Sequence, residues 1–256
     1  MTKKERPESL EGRWDILYRD YPEVYEEWGR IPKFPDIIDV INDRFTLKGK
    51  VVADIGSGTG ISTFKLAKHA DLVIGIEPED AMISVAVRSA EERGVKNVNF
   101  EVGEAENLPL EDGSTDMAVA ITLGGGDIRK VAAEMERVVR SGGIVLRADV
   151  APGWYGGELG PIITGSPRDE TPVQGSIDDI LPSLDYEVMD IFMDQDYGTV
   201  EIAVRTYGFI HGKQVINYIR EHNVTTIRWK FRVHFRTVRK AIFEQLRPAD
   251  ANKPRG

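Results

Sequence analysis

The sequence contains no cysteine among its 256 residues. Without cysteine the chain cannot form disulfides, ligate zinc or an iron–sulfur cluster through thiolates, or use a thiol nucleophile. It also lacks any run near the roughly 20 apolar residues that a membrane span needs. The N-terminal stretch MTKKERPESLEG has no apolar core of the signal-peptide kind. We therefore expect a cytoplasmic protein with no membrane segment, and we predict no metal site.

Basic residues are scarce in most of the chain but concentrated at its end. The formal net charge is −9, yet residues 205–256 contain 12 Lys and Arg against 3 Asp and Glu, so residues 1–204 carry −18. A basic tail on an acidic body can bind nucleic acid or an anionic substrate, or can pair with the acidic part of its own chain. We favour pairing within the chain or between subunits, so nucleic acid is an unlikely partner.

The middle of the chain alternates short apolar runs with amphipathic segments. The runs VVADI, DLVIGIE, NVNFEVG, TDMAVAITL and GGIVLRADV read as strands, and the segments between them mostly as helices. This alternation is typical of a parallel sheet covered by helices on both faces. The sequence therefore predicts a three-layer α/β fold.

An aromatic segment precedes this core. Its aromatic residues are spaced four, three, four and three apart, which predicts one helical stripe: Trp14, Tyr18, Tyr21, Tyr25 and Trp28. Pro22 interrupts the stripe and favours a helix–turn–helix. The stripe is either core packing or a lid over a ligand site. Residues 151–176, rich in Gly and Pro with Trp154 and Tyr155 among them, are predicted to be a functional loop.

The remainder reads as β-rich. Residues 185–210 are predicted to be two strands joined by a turn at 196–198, followed by a helix, and TTIRWKFRVHF is predicted to be an additional strand. We thus divide the chain into an N-terminal helical lid (1–48), a core (49–210) that includes the 151–176 loop, and a basic C-terminal extension (211–256).

The stretch 54-DIGSGTG-60 follows the first strand of the core and brings three glycines together. Glycine accepts positive φ and lets a ligand approach bare backbone, as nucleotide-like cofactors require. A dinucleotide fingerprint GxGxxG would need glycine where Ile61 stands. Glu77 ends the second strand, where a carboxylate can accept hydrogen bonds from ribose hydroxyls. Glu104 and Glu106 follow the third strand, where a carboxylate can accept from an adenine amino group.

Four pieces of the sequence resemble class I S-adenosylmethionine-dependent methyltransferases that act on small molecules. They are DIGSGTG (54–60), GIEPEDAMISVA (75–86), FEVGEAENLPLEDGSTDMAVA (100–120) and MERVVRSGGIVLRADV (135–150). The resemblance implies a Rossmann-like sheet of seven strands, the last antiparallel. We expect the 185–210 hairpin to supply the sixth and seventh strands.

The resemblance also implies how S-adenosylmethionine binds. The glycine turn would hold the methionine end near Asp54, Glu77 would hold the ribose, Glu104 to Glu106 would line the adenine edge, and Ile121 and Thr122 would lie beneath the sulfonium. The full set of expected cofactor residues is Asp54, Gly56, Ser57, Gly58, Gly60, Glu77, Pro78, Met82, Gly103, Glu104, Ala105, Glu106, Ile121 and Thr122.

The acceptor side gives weaker signals. After the fourth strand stands ITLGGGD rather than the family's NPPY or DPPY, which disfavours methylation of a base or amide nitrogen. Among the histidines, His69 is expected at the surface, and His222 and His234 are expected to be structural or solvated. The candidate catalytic residues are Asp149, Tyr155 and His211.

We expect in-line methyl transfer to a small-molecule oxygen, nitrogen or carbon nucleophile, with homodimerisation left open. The alternatives are an NAD-type oxidoreductase and a non-catalytic binding or regulatory subunit with the same fold. Ile61 and the GEAEN segment argue against the oxidoreductase, and the intact Gly56, Gly58, Gly60 and Glu77 argue against the non-catalytic subunit.

Overall fold

The computed structural model describes residues 7–239, apart from the side chains of Tyr18, Pro22 and Glu26. The last part of the predicted C-terminal extension, residues 240–256, therefore lies outside the described residues. The strands are β1 (Lys33–Phe34), β2 (Val51–Ile55), β3 (Leu72–Glu77), β4 (Val98–Val102), β5 (Thr115–Ile121), β6 (Val139–Val150), β7 (Glu187–Asp196) and β8 (Thr226–Thr237).

The helices flank these strands in chain order. They are α1 (Trp14–Asp20), α2 (Pro22–Arg30), α3 (Ile37–Phe45), α4 (Ile61–Leu66), α5 (Asp80–Arg93), α6 (Ile128–Val138), α7 (Gly160–Thr164), α8 (Ile177–Ser183), α9 (Val200–Ala203), α10 (Phe209–His211) and α11 (Lys213–His222). A 3₁₀ turn (Gly157–Leu159) precedes α7, and a π-helical turn (Val204–Gly208) joins α9 to α10.

The strands form one mostly parallel sheet in the order β1-β7-β8-β6-β5-β2-β3-β4. Strands β2 to β6 pair in parallel, as predicted for the core. Strand β8 runs antiparallel between β6 and β7. The α/β prediction with an antiparallel last strand is confirmed. The described sheet has eight strands rather than seven because the two-residue β1 pairs with the edge of β7.

The predicted hairpin over 185–210 is wrong in its second half. Residues 200–211 are helical, and the antiparallel partner that follows β7 is β8, which lies in the segment predicted to be a C-terminal extension. The buried residues Ala203, Tyr207 and Ile210 recur every three to four positions, which is helical spacing. The Thr199 hydroxyl also accepts a hydrogen bond from the Ile202 N–H at the helix start. The β-branched composition of TVEIAV favoured a strand, and this packing overrides it.

The two faces of strand β8 differ: one carries apolar side chains and the other carries basic ones. Ile227, Trp229 and Val233 are buried on one side, and basic residues alternate with them on the other. These basic side chains pair with acids of the preceding chain: Arg228 with Asp194 at 2.7 Å, Lys230 with Glu170 at 2.7 Å and Arg232 with Asp190 at 2.7 Å. Part of the basic excess of residues 205–239 is therefore neutralised inside the chain.

A buried amide links β7 to the N-terminal helices. Gln195 is fully buried; its side-chain oxygen accepts from the Tyr197 hydroxyl and the Trp229 indole N–H, each at 3.0 Å. Its amide nitrogen donates to the Trp28 carbonyl at 3.2 Å. Since Gln195, Tyr197 and Trp229 are buried, this network fixes α2 against the sheet.

Candidate cofactor and acceptor site

The glycine turn lies between β2 and α4, at the carboxyl edge of the sheet. Gly56, Gly58 and Gly60 all have positive φ, at 74°, 53° and 87°. The amides of Gly56 and Ser57 donate to the Ile76 carbonyl at 2.8 and 3.0 Å. A Cβ on Gly56 would lie 2.5 Å from Leu123 Cδ1. The turn thus needs glycine both for its conformation and for its closeness to the loop after β5.

Asp54 lies beneath this turn and is almost fully buried. Its carboxylate accepts hydrogen bonds from the hydroxyls of Thr63 at 2.6 Å and Ser62 at 2.8 Å. Burial raises the pKa of Asp54, while these two hydrogen bonds act in the opposite direction. Asp54 therefore anchors the first turn of α4 to β2, and the sequence analysis missed both hydroxyl partners.

Glu77 ends β3 and lies under the same turn, 8% exposed. It accepts from the Gly58 N–H at 3.0 Å and from the Glu79 N–H at 3.4 Å. A carboxylate has about four lone-pair sites, so two remain for further donors. Pro78 and Met82 follow; the Met82 side chain is 40% exposed, and its sulfur would lie 3.8 Å from a Cβ on Gly58.

The residues after β4 form a tight turn beside this group. The Gly103 N–H donates to the Glu77 carbonyl at 3.2 Å, and Ala105 is half-buried in the turn that follows. Glu104 is exposed. Glu106 instead turns toward α6, where its carboxylate accepts from the Asp127 N–H at 2.9 Å. The two acids predicted to line the adenine edge thus have different surroundings.

Arg137 of α6 binds the backbone of residues 108–112, which follow that turn. The Arg137 guanidinium donates to the carbonyls of Leu108 at 3.0 Å and Leu110 at 2.8 Å. It also pairs with Glu134 at 2.7 Å and Asp112 at 2.8 Å. Arg137 fixes residues 108–112 at the edge of the site.

The end of β5 is unusual. Ile121 is half-buried and Thr122, the next residue, has a φ of 53°. Positive φ in a β-branched residue is a genuine outlier and is concentrated at functional sites. Beyond it, Gly124, Gly125 and Gly126 are exposed. The loop after β5 therefore begins with a strained residue, and its three glycines expose backbone without side chains.

Two of the three candidate catalytic residues meet in an aromatic cluster. The Tyr155 hydroxyl accepts from the Trp14 indole N–H at 2.9 Å, and the rings of Tyr155 and Trp14 each lie 5.7 Å from that of His211. The Tyr207 ring lies 4.3 Å from the same imidazole. This cluster joins α1, the loop after β6 and α10.

His211 is the buried centre of this cluster, 4% exposed. Within residues 7–239 neither of its ring nitrogens has a hydrogen-bond partner. Burial lowers the pKa of His211 to about 3. His211 is therefore neutral at physiological pH and suits accepting a hydrogen bond better than retaining a proton.

Asp149, the third candidate, lies elsewhere. Asp149 and Val145 lie on the same face of β6, and Val145 packs with Leu181 of α8 on that side of the sheet. His211 instead contacts Tyr207, which packs on the opposite side of the sheet. The Arg147 guanidinium pairs with its carboxylate at 3.0 Å. Burial raises the pKa of Asp149, and Arg147 opposes that shift. The structure thus brings Tyr155 and His211 together but not Asp149.

Arg147 is the main residue that the sequence analysis missed. It is 4% exposed in the middle of β6 and also donates to the Leu123 carbonyl at 2.9 Å. The signal was present, because an ionisable residue inside GGIVLRADV is rare in a strand buried on both faces. His234, opposite Arg147 on β8, is also buried, and its pKa is lowered by that burial.

Comparison with known proteins agrees with this geometry. Residues 52–143 match the family model described as a methyltransferase domain. Over 100 residues the chain is 35% identical to the uncharacterized methyltransferase YcgJ of Bacillus subtilis, covering 38% of this chain and 40% of that protein. It is 33% identical over 89 residues to a ubiquinone biosynthesis O-methyltransferase of Coxiella burnetii, covering 35% and 38%. The chain thus spans less than half the length of these curated relatives.

Solved structures share the fold over a longer stretch. The crystal structure of Bacillus subtilis YcgJ aligns with a TM-score of 0.55 at 21% identity, covering 80% of this chain and 98% of that one. A geranyl diphosphate methyltransferase in complex with S-adenosylmethionine aligns with a TM-score of 0.52 at 17% identity, covering 78% and 84%. Residues 52–143 thus match the methyltransferase-domain family, and most of the chain shares the fold of class I S-adenosylmethionine-dependent methyltransferases. The predicted resemblance is confirmed.

The residues at the glycine turn fit the cofactor of this class. Ser57 is buried, and within the described chain its hydroxyl has no hydrogen-bond partner. Glu77 retains acceptor capacity beside it, and the glycines leave the backbone bare above both. A buried hydroxyl without a partner is costly, and a polar ligand at this turn would satisfy it.

Proposed function

We propose that this chain binds S-adenosylmethionine at the glycine turn and transfers its methyl group to a small-molecule acceptor at the carboxyl edge of the sheet. The observation that carries the proposal is the turn itself: three glycines at positive φ over the Glu77 carboxylate, beside the unpartnered Ser57 hydroxyl. These groups suit a neutral ribose with two hydroxyls better than a phosphate.

S-adenosylmethionine supplies an already activated methyl group on a sulfonium. The protein therefore has to align the acceptor atom with the methyl carbon and exclude water while one bond forms and the carbon–sulfur bond breaks. In our proposal Glu77 orients the ribose, Glu104 to Glu106 flank the adenine, and Ile121 and Thr122 form the floor below the methyl group.

The acceptor side is proposed to be covered by residues 8–30 and 151–176. In support, the Trp14 indole donates to the Tyr155 hydroxyl across these two segments, and Gly29 of α2 lies beside Ile61 at the start of α4. Since Trp14 occupies an acceptor site on the Tyr155 hydroxyl, the hydroxyl proton of Tyr155 remains available to a ligand.

An acceptor that arrives protonated also needs a base. His211, with its pKa lowered to about 3, would hold a proton poorly at neutral pH. The pKa of Asp149 is raised by burial, which moves a carboxyl toward the working range of a base. We therefore propose Tyr155 and His211 as the acceptor contacts. Asp149 lies on the other face of β6 and pairs with Arg147, so it would act as a base only for an acceptor bound on that side of the sheet.

Isothermal titration calorimetry with S-adenosylmethionine and NAD tests the cofactor. We expect binding of S-adenosylmethionine and far weaker binding of NAD. Glu77→Ala should weaken binding by roughly 5- to 150-fold, because hydrogen bonds to a charged group are worth about 1–3 kcal/mol. Glu79→Ala, two residues away and exposed, is the matched control and should bind normally. Tighter binding of NAD would favour the oxidoreductase, and no binding of either would favour a non-catalytic subunit.

The proposal also covers where the protein acts in the cell and what else it binds. Within residues 7–239 no helix is long and apolar enough to cross a membrane. We propose a cytoplasmic enzyme that does not bind nucleic acid, which cell fractionation and gel-shift titration at about 0.1 M salt would test. Submicromolar binding of RNA or DNA under those conditions would overturn the small-molecule assignment. Homodimerisation is testable by light scattering.

A further inference from the structure

The loop after β5 begins with a strained residue. Thr122 has a φ of 53°, and its N–H donates to the Ala148 carbonyl of β6 at 2.8 Å. A β-branched residue is strained in this region of backbone conformation and persists there only where its surroundings impose it. Something in the fold must therefore hold the backbone immediately after Thr122.

Arg147 provides that hold. Its Nη2 donates to the carbonyl of Leu123 at 2.9 Å, and its Nε donates to the carboxylate of Asp149 at 3.0 Å. The guanidinium is planar and rigid, so one side chain fixes the two acceptors relative to each other. Burial of Arg147 in β6 leaves it little freedom to release either one.

The rest of the loop has few means of holding itself. Gly124, Gly125 and Gly126 carry no side chains, and the last two have φ values of 77° and 81°. Among residues 7–239, no atom would lie within 4 Å of a Cβ placed on Gly124 or Gly125. The far end is fixed where Glu106 accepts from the Asp127 N–H. The loop thus spans two anchors, Arg147 at its start and Glu106 at its end.

We propose that Arg147 is a positioning residue, which holds the turn at Thr122 and Leu123, and with it Asp149, in the geometry that accepts the sulfonium and methyl of the cofactor. The inference rests on the proposed function, since it assumes that Ile121 and Thr122 lie below the methyl group. Fixing Leu123 also fixes its contact with the glycine turn, because the Leu123 side chain packs on Gly56.

Calorimetry of Arg147→Lys with S-adenosylmethionine and S-adenosylhomocysteine tests the position. Lysine retains the charge but lacks the fork that reaches both acceptors. The two ligands differ only in the methyl group and the charge on sulfur. We expect the affinity for S-adenosylmethionine to fall about fivefold more than that for S-adenosylhomocysteine, the factor that one hydrogen bond typically represents. Equal losses, or no loss, would overturn the proposal.

Arg137→Lys is the matched control. Arg137 also holds a loop through two carbonyls, but that loop follows β4, beside the expected adenine edge, and is not the loop after β5. We expect it to weaken both ligands equally. If Arg137→Lys shifted the ratio as much as Arg147→Lys does, the ratio would not report on the loop after β5, and the assignment to Arg147 would fail.

Hydrogen exchange of the free protein tests the hold without any ligand. Arg147→Lys should raise exchange of the Thr122 amide, whose N–H donates to the Ala148 carbonyl, while β2 stays protected. Adding Thr122→Gly removes the strained φ, so the double variant should recover part of the lost protection. Unchanged exchange of the Thr122 amide would refute the role of Arg147 in the free protein, whereas failure of the unaltered protein to bind S-adenosylmethionine would refute the proposed function.

Discussion

Replacing His211 should make the protein less sensitive to acid. The imidazole is 4% exposed, lies against Tyr207, Trp14 and Tyr155, and makes no hydrogen bond within the described chain. Burial lowers its pKa to about 3, against 6.5 for a free histidine. Between pH 6.5 and pH 3, His211 is therefore protonated in the unfolded chain but neutral in the folded chain.

The sign and size follow from linkage. A histidine with a lowered folded pKa contributes stability that is present above pH 6.5 and is lost as the pH falls toward 3. Between pH 8 and pH 5 the loss from this one group is about 2 kcal/mol, because each pH unit below the unfolded pKa removes about 1.4 kcal/mol. That is a large fraction of the roughly 5–15 kcal/mol stability of a typical domain.

Urea unfolding of His211→Leu and of the unaltered protein from pH 8 to pH 5 measures this effect. We expect the variant to lose about 2 kcal/mol less over that range. The buried His234 shifts in the same direction but is common to both proteins, so their difference isolates His211. His222→Leu, at an exposed position, corrects for the loss of any histidine. A difference that stays constant with pH would refute the reasoning.

Three further outcomes are expected. Gly56→Ala should destabilise the fold and weaken S-adenosylmethionine binding by calorimetry, whereas Gly94→Ala, with positive φ but open space, should cost only about 1 kcal/mol in urea unfolding; equal costs would exclude the predicted clash. Gln195→Leu should cost about 2–5 kcal/mol, because it leaves buried donors without acceptors, and an unchanged unfolding midpoint would contradict the network. Hydrogen exchange should slow in 8–30 and 151–176 when S-adenosylmethionine is added, and unchanged rates would remove the lid.

Much of the site could be predicted from the sequence because it depends on local chemistry. The stretch 54-DIGSGTG-60 dictates a strand, then a turn with positive φ, then a helix, since only glycine adopts that backbone cheaply. Glu77 follows a run of apolar residues, so its place at the end of a parallel strand was predictable. The roles of these residues toward the cofactor stay predictions.

The C-terminal part was decided by tertiary contacts. TVEIAVRTYGFI has the β-branched composition of a strand, yet it is helical because Ala203, Tyr207 and Ile210 bury one face. TTIRWKFRVHF reads equally well as an edge or a central strand, and its pairing with both β6 and β7 fixed it inside the sheet. Pairing partners distant in sequence leave no local signal.

The sequence by itself determined the class of cofactor site, the alternation of strands and helices along the core and the aromatic character of the segments around the acceptor side. Only the tertiary structure placed Tyr155 against His211, put Asp149 on the other face of the sheet, and joined Arg147 to the Leu123 carbonyl. Glycine turns and apolar periodicity act over a few residues. The meeting of a tyrosine, a histidine and an arginine with partners many residues away depends on how the strands pair and which face each side chain takes.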